Sequence, residues 1–221
     1  MEKLLFLKGK LSTKNLKRLC DENKTDERVL VVHAQDVPYK EFFSNTFTVT
    51  SNKSVEADLH ADPYYKCLDQ IDSEAYSSIL CTGLLEHIPD YQRFIDELHR
   101  ILKPGGKLVI AVATISSIHE GPDDFFRFTP FGLATLFQSW SHLSMQGSCK
   151  PFETISILLQ RILFQCEIKS RFVCLVVELL CLYLPRFDKH IGKQYATLNP
   201  KNEKTEIDSM MPYEVFAVAI K

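Results

Sequence analysis

Two short stretches of this 221-residue sequence carry side chains able to move a proton or hold an anion. The first is Glu86-His87. The second opens at His119 and runs through Asp123 and Asp124 to Arg127. Histidine titrates near neutral pH and is the commonest general base, so His119 can serve as one, with Asp124 or Asp123 orienting its ring. Arg127 can clamp an anionic substrate, because a guanidinium presents several donors in one plane. A second reading of the same residues needs no chemistry: Asp123 and Arg127, four apart, can form a helical or turn ion pair worth about a few tenths of a kcal/mol. His87 reads as a further catalytic group or as a turn residue packed beside a cleft, and Glu86 as a hydrogen-bonding residue of that turn.

Such groups need a scaffold, and the pattern supplies one. Val29–Val32 is a continuous apolar run, as in a buried strand. Thr46–Thr50 alternates, with β-branched residues, as a second strand. A short piece around Asp58–Ala61 is a third, and Ser77–Cys81 a fourth. From Asp90 to Leu102 the residues Tyr91, Phe94, Ile95, Leu98, Ile101 and Leu102 recur on one face of a helix. Pro104, Gly105 and Gly106 stop it. Lys107–Ala113 is then a fifth strand, near-continuously apolar as in a parallel sheet covered on both faces. Thr129-Pro130 opens a helix as N-cap and first helical residue, carrying Leu133, Leu136, Phe137 and Trp140 inward. Tyr213–Lys221 suits a last strand, and residues 196–211 read as a loop. Strands and helices alternating over short connections predict an α/β fold: a Rossmann-like, doubly wound, mostly parallel sheet of about seven strands, with an apolar helical insertion before the last strand.

The expected organisation is a basic helical arm (1–27), a core (28–150), an apolar helical hairpin (151–192), and a loop and final strand returning to the core (193–221). The arm is basic because residues 1–18 hold six Lys/Arg against one acid, yet the whole chain carries a net charge of −2, which gives no argument for nucleic acid. Seven cysteines without a C-x-x-C pair or a His/Cys cluster at ligand spacing argue against disulfides and metal, and for a reducing, cytoplasmic setting. Leu4–Leu7 is too short for a signal-peptide core. Cys166, Cys174 and Cys181 lie in apolar stretches and read as small core residues. In the hairpin, Phe172–Leu184 has one charge, Glu178, in 13 residues. Such a helix spans roughly 20 Å, short of the roughly 30 Å hydrocarbon core. Three readings stay open for residues 152–184: a buried hairpin closing the core, a homodimer surface, or a peripheral membrane contact aided by Lys150, Arg161, Lys169, Arg171, Arg186, Lys189 and Lys193.

The run from Ser77 to Val112, SSILCTGLLEHIPDYQRFIDELHRILKPGGKLVIAV, resembles the class I S-adenosylmethionine-dependent methyltransferases, type 11-like members among them. Val37–Phe43 and His119–Phe137 extend the likeness, which covers roughly Arg28 to Phe137 and the C-terminal strand. The resemblance implies S-adenosylmethionine as cofactor and a small-molecule or glycan-type acceptor. It places Glu86-His87, His119 and Asp123–Arg127 around the pocket, and Cys81 and Gly83 at the cofactor beside the fourth strand. It also implies a glycine loop after strand one, an acid after strand two and, after strand three, a residue bordering the adenine. Here the loop glycines fall on His33, Ala34 and Gln35, and the acid of strand one on Val31. The ribose-binding acid falls on Thr50, Ser51 or Asn52, and Asp62 takes the adenine side.

These replacements have a cost. A Cβ where the backbone should approach the ligand costs on the order of 1 kcal/mol, and a lost carboxylate forfeits roughly 1.5–3 kcal/mol per charged hydrogen bond. Together they amount to about a hundredfold or more in affinity, which Ser51, Asn52 and the Gln35 amide can offset in part. Methyl transfer itself is an in-line displacement that depends on alignment more than on acid–base groups. The expected function is a methyltransferase with a degenerate cofactor loop; the alternative is a catalytically inactive relative serving as a binding or assembly module.

Overall fold

The computed structural model describes residues 7–33, 42–197 and 205–221. The turn after the first strand, with Gln35 and the Pro38-Tyr39-Lys40 segment, lies outside them. Helix α1 (Leu7–Glu22) precedes β1 (Val29–His33), β2 (Thr46–Thr50), β3 (Leu59–His60) and β4 (Tyr76–Thr82). Then follow α2 (Tyr91–Ile101), β5 (Leu102–Ala113), α3 (Pro130–Leu136) and β6 (His142–Gly147). The hairpin helices α4 (Pro151–Gln165) and α5 (Arg171–Tyr183) lead to the short pair β7 (Gln194–Tyr195) and β8 (Glu206–Ile207), and β9 (Glu214–Ile220) ends the chain.

Seven strands form one sheet in the order β3-β2-β1-β4-β5-β9-β6. β1 pairs in parallel with β2 on one side and β4 on the other, Val31 lying opposite both Thr48 and Leu80, and β4 pairs in parallel with β5. Lys221 and Gly106 meet backbone to backbone (N···O 3.0 Å), so β9 returns antiparallel to β5. This is the doubly wound sheet expected, and all five residues of β1 are buried because helices and loops cover both faces. On one face Leu30, Val32, Ile79 and Ile110 meet Phe94 and Leu98 of α2. On the other Val29, Val31, Leu80 and Val109 meet Leu16, Leu19 and Cys20 of α1.

The elements start and stop where side chains dictate. Asp90 caps α2 by accepting the Arg93 N–H (3.3 Å), and Thr129 caps α3 by accepting that of Gly132 (3.1 Å), with Pro130 as first helical residue. β5 begins at Leu102, earlier than the Pro-Gly-Gly break implies, because Leu102 already pairs with Tyr76 of β4 and the Lys103–Gly106 stretch is taken up as an irregularity before Lys107 pairs with Ser78. Gly106 permits this: a Cβ there would lie 2.8 Å from the Lys103 carbonyl oxygen and 3.1 Å from that of Ser77. α3 ends at Leu136, and Phe137 and Trp140 are buried by the turn that follows it. β6 was not expected: its alternation rests on only two apolar residues, Leu143 and Met145, and at the sheet edge none of its residues is buried.

The chain divides into two compact units. One comprises residues 16–113, 118–145 and 215–221 and holds the sheet's central strands, α2 and α3. The other comprises residues 1–15, 114–117 and 146–214, so it is assembled from three stretches rather than from the hairpin alone. In it Cys149, Ile157 and Tyr213 form a small core. The buried Asp188 carboxylate accepts the Phe152 and Glu153 N–H groups (3.0 and 2.8 Å), two of the unpaired donors that open α4. The reading of the hairpin as buried all round is corrected. Of α5 only Cys181 is buried, Cys174 is half-buried, and Cys166 between the helices is exposed.

Candidate active site

The chemistry-bearing residues meet beyond the carboxyl ends of β4 and β5, in the sheet-bearing unit. After β4 the chain makes a single 3₁₀ turn, Leu85–His87. After β5 the segment His119–Phe128 folds back over that turn and is tied to it by backbone. The Glu86 carbonyl accepts the N–H groups of Phe125 (3.0 Å) and Phe126 (3.2 Å), and Phe128 donates to the Ala113 carbonyl (3.0 Å).

This docking sets His87. Its Nδ1 lies 2.6 Å from the Asp123 backbone oxygen. A carbonyl can only accept, so Nδ1 carries a proton, and in the neutral ring Nε2 presents the lone pair. The side chain is buried, and Nε2 has no hydrogen-bond partner among the described residues. The His119 ring stands edge-on to it, centroids 5.0 Å apart. One ligand atom each from Glu86, His87 and His119 fall within 4.8 Å of one another, a donor set chemically able to take a divalent cation. Spacing along the chain hid this cluster, since His119 lies 32 positions beyond His87.

The neighbouring charges are arranged differently from the expectation. Arg127 pairs with Asp124, not Asp123, through two parallel hydrogen bonds (Nη1 to Oδ1 2.6 Å, Nη2 to Oδ2 2.7 Å). It also donates to the Phe126 carbonyl (2.7 Å), so the guanidinium expected to clamp an anion is held within its own loop. Asp124 additionally accepts the His119 N–H (2.9 Å). Hydrogen bonds from Arg127, with help from the His119 backbone, hold its carboxyl well below the ordinary 3.8, at about 2. Its Oδ2 is 3.7 Å from His119 Nδ1, beyond hydrogen-bond reach, so Asp124 orients the His119 backbone more directly than the ring. Asp123 orients His87 through its main chain rather than its carboxylate.

At the ends of β1 and β2 the groups are also engaged. His33 is buried, and its carbonyl accepts the Tyr65 hydroxyl at 2.6 Å. The Ser51 N–H donates to the same hydroxyl (3.0 Å), and Ser51 Oγ lies 3.3 Å from it. Tyr65, which no sequence signal singled out, thus ties the two strand ends together, and its burial pushes the phenol pKa up. Asn52 accepts the Ser54 N–H through its side chain (2.9 Å). Asp62 accepts the N–H groups of Tyr64 (2.8 Å) and Lys66 (3.0 Å), just ahead of the 3₁₀ turn Lys66–Gln70. Cys81 points into the core, which pushes its thiol pKa up. Next to it Gly83 adopts φ +57° with open space where a Cβ would stand, and Thr82 Oγ1 is buried with no partner among the described residues. A cavity of about 230 Å³ lies elsewhere in this unit, lined by Tyr64, Lys66, Asp69, Asp90 and Arg93 among others.

A family model for a methyltransferase domain matches residues 13–160, more than half of the chain. The ubiquinone biosynthesis O-methyltransferase of Coxiella burnetii is 32% identical over 83 residues, 36% of this chain and 35% of that protein, so the likeness spans about a third of the relative's length. Among solved structures, a SAM-dependent methyltransferase from Archaeoglobus fulgidus superposes with a TM-score of 0.59 at 13% identity, over 96% of this chain and 94% of that one. Phosphoethanolamine N-methyltransferase 2 of Haemonchus contortus, in complex with phosphomonomethylethanolamine and S-adenosylhomocysteine, gives 0.51 at 14% identity, over 94% of this chain and 53% of that one. At such identities the two structures establish the fold.

Proposed function

The chain belongs to the class I S-adenosylmethionine-dependent methyltransferase family, and on that premise we propose that it methylates a hydroxyl of a small-molecule or glycan-type acceptor, with His87 as proton acceptor. One observation carries the reading: a buried histidine whose Nδ1–H is fixed on the Asp123 carbonyl and whose Nε2 lone pair has no partner among the described residues. Oxygen is favoured as acceptor atom because the Coxiella relative is an O-methyltransferase by name.

S-adenosylmethionine, the cofactor of this family, supplies a methyl group on a sulfonium centre. Two features at the end of β4 fit such a ligand: the open space over Gly83 and the unpartnered hydroxyl of Thr82. The end of β2 offers hydroxyl and amide groups on Ser51 and Asn52 where a carboxylate would bind ribose diols more tightly. His87 takes the acceptor's proton at Nε2 while Asp123 keeps its hydrogen bond at Nδ1. The Asp124–Arg127 pair holds the His119–Phe128 segment in place, and with it the Asp123 carbonyl.

The tie between His33, Tyr65 and Ser51 favours a second reading, in which these strand ends have closed and the protein is a non-catalytic member of the family. Calorimetric titration with S-adenosylmethionine and S-adenosylhomocysteine separates the two. Saturable binding, weak but measurable, is the expected result. No heat at millimolar ligand would reject the enzyme reading in favour of the non-catalytic one.

A further inference from the structure

The second hairpin helix is packed inside out. In a surface helix the stripe against the protein is apolar and the outer face polar. α5 touches its own unit through Cys174, Val177, Glu178 and Cys181, spaced three, one and three, so its only internal charge sits on the inner stripe. Its outer face carries Phe172, Leu175, Leu179, Leu182 and Tyr183, between 45% and 73% exposed. α4 shares the exposed apolar end but keeps Ile157 in the small core. Thr154, Ser156 and Gln160 are buried there, while Ile162 and Phe164 are exposed. A soluble monomer rarely leaves so continuous an apolar face in water.

The charges around this face say what covers it. Exposed Lys169 and Arg171 precede or open α5, and exposed Arg186 and Lys189 follow it, so both ends are cationic. Glu167 is the exposed acid between the helices. Asp188 is buried against the start of α4, and Lys193 is paired with Glu206 at 2.8 Å. A second copy of the chain would bring like charges together in either orientation: antiparallel helices set Arg171 against Arg186, and parallel ones set each end against itself. An anionic surface meets neither penalty. No helix among the described residues is long and apolar enough to cross a membrane.

We propose that the α4–α5 hairpin docks in the plane of an anionic lipid bilayer. The outer face of α5 sits at the boundary of headgroups and acyl chains, with Lys169, Arg171, Arg186 and Lys189 on the lipid phosphates. This does not depend on methyl transfer.

The test is co-flotation of the full chain with vesicles of phosphatidylcholine alone or with about one-third phosphatidylglycerol, at low and high salt. The chain floats with the anionic vesicles, and salt releases it. Lys169→Gln/Arg171→Gln lowers partitioning about twenty-fivefold, from about fivefold per charge. Leu175→Gln/Leu179→Gln lowers it more than tenfold. Because these side chains are exposed, far-UV dichroism of both variants stays that of the parent. No flotation with anionic vesicles at low salt overturns the proposal. So does a sedimentation dimer that Leu175→Gln/Leu179→Gln disperses, which would assign the face to a second copy.

Discussion

His87 Nδ1 lies 2.6 Å from the backbone oxygen of Asp123, 36 residues further along the chain. The contact requires a proton on Nδ1, and so in the neutral ring it assigns the lone pair to Nε2. Asparagine places an amide N–H where Nδ1–H stands and has nothing at Nε2. His87→Asn therefore keeps the tie to Asp123, with a melting temperature close to the parent's. Methyl transfer falls about 10²–10⁴-fold, the range for losing a positioned base. Activity within threefold of the parent would remove His87 from the chemistry.

The same lone pair makes the cluster sensitive to metal. Zn²⁺ favours imidazole and carboxylate donors, and Glu86, His87 and His119 bring three within 4.8 Å. If His87 acts as a base, zinc inhibits, EDTA leaves the metal-free activity unchanged, and His119→Asn weakens the inhibition. Loss of activity in EDTA, restored by a divalent cation, would instead make the cluster a metal centre.

Asp124 gives the site a defined acid limit. Its carboxyl is held at about 2 against an ordinary 3.8, chiefly by Arg127. A depressed carboxylate stabilises the fold fully above its unfolded value and loses that contribution as pH falls through its folded one. The difference corresponds to about 2 kcal/mol, present above about pH 4 and gone below about pH 2. Asp124→Asn lowers stability at pH 7 by about that amount and flattens the stability profile between pH 4 and 2. Urea titrations across that range measure both. An unchanged profile would mean that the pair contributes nothing to folding.

The scaffold was legible because local signals and global fold agree. Val29–Val32, Ser77–Cys81 and the stripe of α2 have the right period, and caps such as Thr129-Pro130 mark where elements begin. The site was only half legible. Residue type identified Glu86, His87, His119, Asp124 and Arg127, but partners across a turn follow from backbone geometry. Thus the pairing passed from Asp123 to Asp124, whose side chain faces Arg127, and the role of Asp123 moved to its carbonyl. Tyr65 was invisible, since a tyrosine in Asp-Pro-Tyr-Tyr-Lys has no periodic signature, and its hydroxyl matters only once β1 and β2 lie side by side. The hairpin misled because an apolar helix ordinarily turns its apolar residues inward.

Tyr65→Phe tests the tie between the strand ends. The change leaves the ring packing intact and removes the hydroxyl shared by the His33 carbonyl and the Ser51 N–H. Orphaning buried groups costs about 1–3 kcal/mol, and for a chain of this size each kcal/mol lowers the melting temperature by about 2–4 °C. A drop of roughly 2–12 °C by calorimetry is expected. If S-adenosylmethionine binding also tightens in Tyr65→Phe, the tie competes with the cofactor for these strand ends. Unchanged binding would leave it a purely structural link.

Gly105 and Gly106 are neighbours that fail for different reasons when replaced by alanine. Gly105 has φ +73° with nothing within 4 Å of the Cβ position, so Gly105→Ala meets only backbone strain, about 1 kcal/mol. At Gly106 the obstacle is space. The new Cβ would lie 2.8 Å and 3.1 Å from two backbone carbonyl oxygens, those of Lys103 and Ser77. Neither can swing away as a side chain would. Ser77 belongs to β4 and Lys103 to β5 itself, so relief must come from shifting the backbone of both strands at the irregularity near the start of their pairing. Such overpacking costs about 1–3 kcal/mol. Gly106→Ala is therefore the more destabilising, and its hydrogen-exchange protection falls first at the start of β5, whereas Gly105→Ala leaves the pattern unchanged. Equal losses from the two variants would mean that the β4–β5 entry yields more readily than its close contacts imply.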